Sequence, residues 1–182
     1  MTPEDYNKIF ADADCLYTGE QVAVALDNLA IAITGQMFAD NPLVLCVVTG
    51  SIIPTGHLLT RLHFPLELDY LHATRYKNTT KGGELDWYSG ENLKMAGRNV
   101  LIVDDILDEG LTLDAIVEFC KKSGAIKVYT AVLVEKIHDR KKSAIKADFV
   151  GLQTEDRYLF GYGMDYEGYF RNANGIYAVK GL

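Results

Sequence analysis

The chain has 182 residues, of which 48% are hydrophobic and 24% charged, with a formal net charge of −7 and a pI near 5.0. This acidic balance argues against a general nucleic-acid surface, because phosphate backbones are held by clustered Lys and Arg. An unbroken apolar run of bilayer length is absent and the N-terminal stretch lacks the features of a signal peptide, so we predict a cytoplasmic protein with no membrane partner.

The first quarter of the chain predicts a helix followed by a buried strand. Thr18-Gly19-Glu20-Gln21 has the spacing of a capping box, and apolar residues then recur at helical intervals up to Asn41-Pro42. The run LVLCVV from Leu43 is continuously apolar, which is typical of a strand covered on both faces. We expect a Gly-containing loop and a short helix over about residues 55–62 to follow.

The middle of the chain alternates strands and helices. Residues 66–71 alternate in polarity and predict a second strand, whereas the polar segment 74–87 has no period and predicts a mobile loop. A central strand over residues 100–103, a helix over about 111–123 and a strand over 128–134 then form a parallel crossover.

The C-terminal apolar groups at residues 148–152 and 158–163 complete a sheet-rich end. The pattern predicts a single α/β domain over residues 1–182, with a mainly parallel open sheet flanked by helices. The three cysteines, Cys15, Cys46 and Cys120, lack metal-site spacing, so we expect reduced and mostly buried thiols.

The strongest chemical signal is VLIVDDILDEGLT, from Val100 to Thr112. Loop N–H groups, the positive helix N-terminus and the Thr112 hydroxyl can hold a phosphate, and Gly110 allows close approach of the backbone. Asp104 and Asp105 can accept hydrogen bonds from ribose hydroxyls and help to hold a hydrated Mg²⁺. Acidic residues at strand ends and before helices are also common caps, and a lone Asp-Asp pair is more often a cap than a ligand site.

The complete string resembles the phosphoribosyl pyrophosphate (PRPP) motif of the type I phosphoribosyltransferases. That motif is a hydrophobic strand, two acidic residues, two apolar residues, Asp, a small or polar residue, Gly, any residue and Thr. The resemblance implies the fold of that family, with a small hood and a flexible catalytic loop. It assigns PRPP binding to Asp104, Asp105, Ile106, Leu107, Glu109, Gly110, Leu111 and Thr112.

Further matches are similar to the hypoxanthine-guanine branch of this family. Lys136 resembles the lysine that donates to the purine 6-oxo group, since an ammonium has donors only and disfavours the amino group of adenine. Tyr158-Leu159 resembles the pair that stacks on the base and offers it backbone groups. Asp165 matches a carboxylate near the metal and the purine, and Arg171 matches an arginine that contacts pyrophosphate.

Two segments match the family but depart from it in residue type. Thr49-Gly50-Ser51 corresponds to a loop that binds pyrophosphate through backbone amides, often with a cis peptide, but Thr49 replaces a usual Lys or Arg. Arg75-Tyr76 corresponds to the Ser-Tyr of the lid. We hypothesise that Arg75 supplies the missing positive charge, and unchanged kinetics of Arg75→Ala would refute this.

The resemblance implies transfer of phosphoribosyl from PRPP to hypoxanthine or guanine, with Asp108 accepting the N7 proton of the base. It also implies a Mg²⁺ cofactor near Asp165, Asp104 and Asp105, and a homodimer or homotetramer. A regulator that binds PRPP or nucleotides without catalysis is one alternative. A binding domain whose strand-end acids are only caps is another. The preference among hypoxanthine, guanine and xanthine stays open.

Overall fold

The computed structural model describes residues 1–75, 85–89 and 93–181, with side chains over 1–72 and 93–181. None of the helices in these ranges combines the length and apolar character that crossing a membrane requires. The elements, in chain order, are α1 Pro3–Asp12, β1 Asp14–Thr18, α2 Gly19–Met37, β2 Leu43–Val48, α3 Ile52–Leu59, β3 Glu67–Arg75, β4 Leu85–Ser89, β5 Asn99–Leu107, α4 Leu111–Lys122, β6 Lys127–Ile137, β7 Phe149–Glu155, β8 Leu159–Phe160 and β9 Gly175–Ala178.

A six-stranded sheet in the order β4-β3-β2-β5-β6-β7 forms the centre of the molecule. Its strands run parallel except for β4, which pairs antiparallel with β3 at one edge. Apolar residues of α2 and α3 pack on one face of this sheet and those of α4 pack on the other. The predicted α/β fold, with a mainly parallel sheet flanked by helices, is confirmed.

The predicted long helix and first buried strand are also confirmed. At the start of α2 the Thr18 side chain accepts a hydrogen bond from the Gln21 N–H, and the Gln21 side chain accepts one from the Thr18 N–H. The apolar stripe of α2 includes Val22, Ile33 and Met37, each with 0% exposure. These features follow from local sequence signals, because caps and helical periodicity need no distant partner.

A small second sheet forms the hood, in the order β1-β9-β8. It joins the beginning and the end of the chain, since β1 pairs antiparallel with β9. The aromatic side chains of Tyr6 and Phe10 on α1 stack or tilt against Phe160 and Phe170 beneath the hood. The sequence reasoning missed α1, β1 and β9, although Thr2 opens α1 with a capping box that a search for start signals would have found.

The short helix after β2 begins earlier than predicted. The prediction placed it over about residues 55–62, whereas α3 spans Ile52–Leu59. Pro54 falls in the first turn, where a helix does not use the backbone N–H that proline lacks. The helix can therefore start before the proline rather than after it.

Two central strands run farther than predicted. β5 continues to Leu107 and β6 to Ile137, and the pairs Ile106↔Val134 and Leu107↔Glu135 hold the added residues. The two acidic residues of the motif therefore lie inside β5 rather than at its exit, and Lys136 lies inside β6 rather than after it.

The segment predicted as a mobile loop, residues 74–87, is strand at both of its ends. The backbone of β3 continues to Arg75 and that of β4 begins at Leu85, and these two residues pair antiparallel. The sequence LDWYS at β4 combines alternation with aromatic residues, which favours a strand. Residues 76–84 lie outside the described residues, so the predicted lid is not described there.

Candidate active site

Two adjoining cavities lie at the carboxyl ends of the parallel strands, where open α/β sheets bind ligands. The first cavity, of about 680 Å³, is formed by the loop after β2, the segment from β5 into α4, and Arg171. The second cavity, of about 580 Å³, is formed by Lys136, Tyr158 and Leu159 with their neighbours. The residues that line both cavities are Asp105, Ile106, Asp108, Arg140 and Asp165.

The loop between β5 and α4 presents the N-terminus of α4 to the first cavity. Gly110 is the N-cap residue of α4 with a left-handed φ of 86°, and no side chain caps this helix. Asp104 and Asp105 therefore do not act as caps. The first-turn N–H groups and the Thr112 side chain remain available to an anion, which a helix N-terminus favours.

Two carboxylates on β5 face the same cavity. Asp104 is only 8% exposed, and its Oδ1 accepts a hydrogen bond of 3.0 Å from the Asp105 N–H. Burial, and then the charge of Asp105, raise the pKa of Asp104 well above its ordinary value. Burial also raises the pKa of Asp105, despite the hydrogen bond with Asp104 and the positive charge of Arg171. A cation or a set of hydroxyl donors would relieve this crowding of negative charge.

The loop after β2 closes one side of the first cavity. The Val48–Thr49 peptide is cis, as the family resemblance implied, and Thr49 and Gly50 line the cavity. A Cβ atom on Gly50 would collide with the Asp105 carboxylate, so this close approach requires glycine. Ser51 is fully buried behind the loop, where its hydroxyl and its N–H both donate to the Val47 carbonyl at 2.7 and 3.1 Å.

The segment after β8 brings a carboxylate and a guanidinium to the cavity wall. Asp165 Oδ1 lies 2.6 Å from Arg171 Nη2, and its Oδ2 accepts a hydrogen bond of 2.7 Å from the Gly168 N–H. Arg171 also donates to the Gly163 carbonyl at 2.6 Å. These contacts fix both side chains beside the carboxylates of β5.

A cluster of five ionisable side chains, here called the Asp108 cluster, lies where the two cavities meet; its members are Asp108, Lys136, His138, Arg140 and Asp156. Asp108 Oδ1 lies 2.8 Å from His138 Nε2 and 2.6 Å from Arg140 Nη2, and Oδ2 accepts from Lys136 Nζ at 3.2 Å. Arg140 also binds Asp156 through two hydrogen bonds of 2.5 and 2.7 Å. The carboxylates and cations of the cluster thus neutralise one another.

This environment sets the charge of Asp108. Burial disfavours its ionised form, but the hydrogen bond from Arg140, the charge of Lys136 and the hydrogen bond from His138 outweigh burial, so the pKa of Asp108 is lowered. Ligand atoms of Asp108, His138 and Asp156 lie within 4.8 Å of one another, a spacing that a metal ion could use. Because Lys136 and Arg140 each contact both carboxylates, we assign no metal to this cluster.

The second cavity has an apolar floor and an aromatic rim. Leu159 is 5% exposed and forms the floor, whereas Tyr158 is 44% exposed and meets the ring of Tyr166 edge-on at 5.4 Å between centroids. The Tyr158 carbonyl accepts a hydrogen bond of 2.9 Å from the Val179 N–H, which ties the rim to the hood. A flat heterocycle would fit between such a rim and the charged cluster.

The structure brings most of the predicted site residues to these two cavities. The predicted residues that line one or both are Thr49, Gly50, Asp104, Asp105, Ile106, Leu107, Asp108, Glu109, Gly110, Leu111, Thr112, Lys136, Tyr158, Leu159, Asp165 and Arg171. Ser51 lines neither. Arg75 ends β3 with its side chain outside the described residues, and Tyr76 lies wholly outside them.

Sequence reasoning missed three members of the Asp108 cluster: His138, Arg140 and Asp156. His138 and Asp156 each immediately follow a parallel strand, β6 and β7 respectively. The rule that ligands bind beyond the carboxyl ends of such strands would have singled them out. Arg140 lies two residues after His138, in a run of three basic residues that is typical of a solvated surface.

Comparison with known proteins agrees with this geometry. The model of the phosphoribosyl transferase domain family matches residues 12–167. The chain is 33% identical over 167 residues to a hypoxanthine-guanine-xanthine phosphoribosyltransferase of Tritrichomonas foetus, covering 91% of this chain and 90% of that protein. It is 31% identical over 166 residues to a hypoxanthine-guanine phosphoribosyltransferase of Bacillus subtilis, covering 91% and 92%.

Among solved structures, a hypoxanthine phosphoribosyltransferase of Staphylococcus aureus superimposes with a TM-score of 0.88 at 26% identity, covering 99% of this chain and 96% of that one. The matches extend over nearly the whole chain and include the motif that lines the first cavity. Sequence, fold and site therefore agree that this chain belongs to the phosphoribosyltransferase family, among its hypoxanthine-guanine members.

Proposed function

We propose that this protein is a purine salvage enzyme that transfers 5-phosphoribosyl from PRPP to N9 of hypoxanthine or guanine, giving IMP or GMP and pyrophosphate. The observation that carries the proposal is the position of Asp108 in the wall that both cavities share. A proton acceptor between a sugar-phosphate site and a base site is what this transfer requires.

PRPP fits the first cavity by the charge and shape of its parts. The 5-phosphate would bind the loop at Gly110 to Thr112 and the positive end of α4, since both offer N–H donors. Pyrophosphate would lie between the loop at Thr49 and Gly50 and the guanidinium of Arg171. The ribose hydroxyls would donate to the carboxylates of β5. Thr49 carries no charge, so we assign the binding of pyrophosphate to the cation of Arg171.

The purine fits the second cavity, with its ring against Tyr158 and its 6-oxo group at Lys136. In the chemical step the bond from N9 to the anomeric carbon forms, and the bond from that carbon to pyrophosphate breaks. The N7 proton of the base passes to Asp108. When Lys136 turns from Asp108 to the 6-oxo group, the carboxylate loses a stabilising cation and becomes a stronger base.

The donor set of the first cavity fits Mg²⁺, which prefers carboxylate and phosphate oxygens. Asp165 would hold it with help from Asp104 and Asp105, whose crowded negative charges a cation would relieve. When bound, Mg²⁺ would neutralise the departing pyrophosphate. Asp165 is held in the wall by Arg171 and by the Gly168 N–H, so its carboxylate is positioned before the ion arrives.

The alternative of a regulator without catalysis is not favoured, because the similar proteins are named as transferases. The alternative in which the strand-end acids are only caps does not fit Asp104 and Asp105, which lie within β5. The predicted cytoplasmic location and the predicted homodimer or homotetramer stay part of the proposal. Light scattering coupled to size exclusion tests the assembly.

Purified protein should form nucleotide from PRPP and Mg²⁺ with hypoxanthine or guanine, but not with adenine; chromatography of the products measures this. Replacing Lys136 with Gln should lower kcat/KM for the 6-oxopurines by roughly 10- to 100-fold, the effect of losing a charged hydrogen bond, and should weaken the discrimination against adenine. A wild-type protein that binds PRPP but forms no nucleotide from any base would refute the proposal.

A further inference from the structure

His138 is a buried histidine that the proposed reaction has not yet used. Its side chain is 6% exposed, and its Nε2 lies 2.8 Å from Asp108 Oδ1. It follows β6 immediately. Its ring contacts Oδ1 of the Asp108 carboxylate, whereas Lys136 contacts Oδ2. A buried imidazole in contact with a candidate general base can control where that base points.

The hydrogen bonds of His138 determine which of its nitrogens carries the proton. The Arg140 N–H, which can only donate, lies 3.2 Å from His138 Nδ1, so Nδ1 must be the acceptor. In the neutral ring the proton is then on Nε2, where it is donated to Asp108. The two hydrogen bonds of the ring therefore run in one direction, from the Arg140 N–H to His138 Nδ1 and from His138 Nε2–H to Asp108.

We propose that His138 is a positioning residue, which holds Asp108 Oδ1 through its Nε2–H so that Oδ2 faces N7 of the purine. This inference rests on the proposed function. The other donors to Asp108 have competing partners: Lys136 would turn to the 6-oxo group, and Arg140 binds Asp156 through two hydrogen bonds. His138 is the donor whose second nitrogen is fixed by the backbone, so it keeps the carboxylate oriented while the cations rearrange.

The contribution of His138 differs in kind from that of Lys136 and Arg140. A neutral imidazole stabilises the carboxylate by one hydrogen bond and adds no net charge, so Asp108 can still accept a proton when the purine arrives. The charged groups that face the ring are Asp108 itself, Asp156 at the end of β7, and Lys136 and Arg140 on either side of it in the chain.

Kinetics of His138→Leu and His138→Gln test the inference, with wild-type turnover measured first. Single-turnover rates should fall roughly 10- to 100-fold in His138→Leu, while KM for PRPP changes little. His138→Gln, which can still donate to Asp108, should recover much of this rate. The acid limb of the pH profile should move to higher pH in His138→Leu, because Asp108 loses a hydrogen bond to its ionised form. The exposed His63 provides a matched control, and His63→Leu should leave the single-turnover rate, KM for PRPP and the acid limb unchanged.

The outcomes distinguish this inference from the proposed function. An inactive wild-type protein overturns both. If the wild type is active, two results overturn the positioning role alone. One is a folded His138→Leu variant with an unchanged rate and an unchanged pH profile. The other is an equal loss of rate in His138→Leu and His138→Gln. Nitrogen-15 NMR of the unliganded wild type gives a test that needs no turnover and no folded Leu variant: we expect the neutral His138 ring protonated on Nε2, and protonation on Nδ1 overturns the inference.

Discussion

Asp108→Asn should separate catalysis from stability. The substitution preserves the shape of the side chain but removes the charge and the proton-accepting oxygen. General-base catalysis typically contributes about 10²–10⁴-fold in rate, so we expect a loss of that size with hypoxanthine or guanine. The Asp108 side chain is 34% exposed and Arg140 keeps Asp156 as a partner, so the lost ion pairs should cost only about 1 kcal/mol. For a chain of this size that lowers Tm by roughly 2–4 °C.

Asp156→Asn is the matched control for this change. Asp156 is also 34% exposed and contacts the same Lys136 and Arg140. Its replacement removes the same charge from the same cluster, so Tm should fall by a similar amount. Asp156 is not placed to accept the N7 proton in the proposed reaction, and the rate should fall less than about tenfold.

Single-turnover measurements with enzyme in excess are the appropriate assay, since product release limits the steady-state rate of many enzymes and would hide a slower chemical step. Thermal unfolding of the same preparations supplies the stability comparison. A rate for Asp108→Asn close to that of wild type, or equal losses in the two variants, would refute the role assigned to Asp108.

Gly50→Ala places a methyl group against the Asp105 carboxylate, so the Kd for PRPP, measured by calorimetry, should rise roughly 10- to 100-fold; an unchanged Kd would contradict this. Asp104→Asn removes a carboxylate whose pKa is raised by burial and by Asp105, so Tm of the unliganded protein at pH 7 should rise by roughly 2–4 °C, whereas a lower Tm would contradict the assignment. The hydrogen bond from Arg140 lowers the pKa of Asp156, so this ion pair stabilises the protein fully above the unfolded-state pKa of about 3.9 and progressively less as pH falls through the lower folded-state pKa. The Tm difference between wild type and Asp156→Asn should therefore narrow below about pH 4, and a constant difference down to pH 2 would be inconsistent with the ion pair.

The part of the site that could be predicted from the sequence is the part built from neighbouring residues. The string from Val100 to Thr112 contains a strand, a turn and a helix start, and each depends on residues within a few positions. Its residues were therefore predicted as a group, and those from Asp104 to Thr112 line the first cavity together. The continuation of β5 to Leu107 was not predicted, because pairing with β6 holds those residues in the strand, and pairing across a crossover leaves no local signal.

The Asp108 cluster shows the opposite case. Lys136 and His138 are separated from Asp108 by 28 and 30 positions, and Arg140 and Asp156 belong to segments that meet only when β6 and β7 pair in register. Read along the chain, each of these residues resembles an ordinary surface charge, and only the family resemblance singled out Lys136. Their contacts with Asp108 form only when the fold brings the carboxyl ends of the strands together. Composition and periodicity do not specify that arrangement.

The hood gives the protein an order of assembly during synthesis. β9 is the middle strand of the small sheet and the last strand in the described part of the chain, and through Ala178 it pairs with Leu159 on the floor of the second cavity. A nascent chain that has left the ribosome up to β7 contains the six described strands of the central sheet and the PRPP motif. The described strand that pairs with β1, which is β9, has not yet emerged. Because chains emerge N-terminus first, the purine cavity is completed only when β9 has emerged and paired with β8, the strand that carries Leu159.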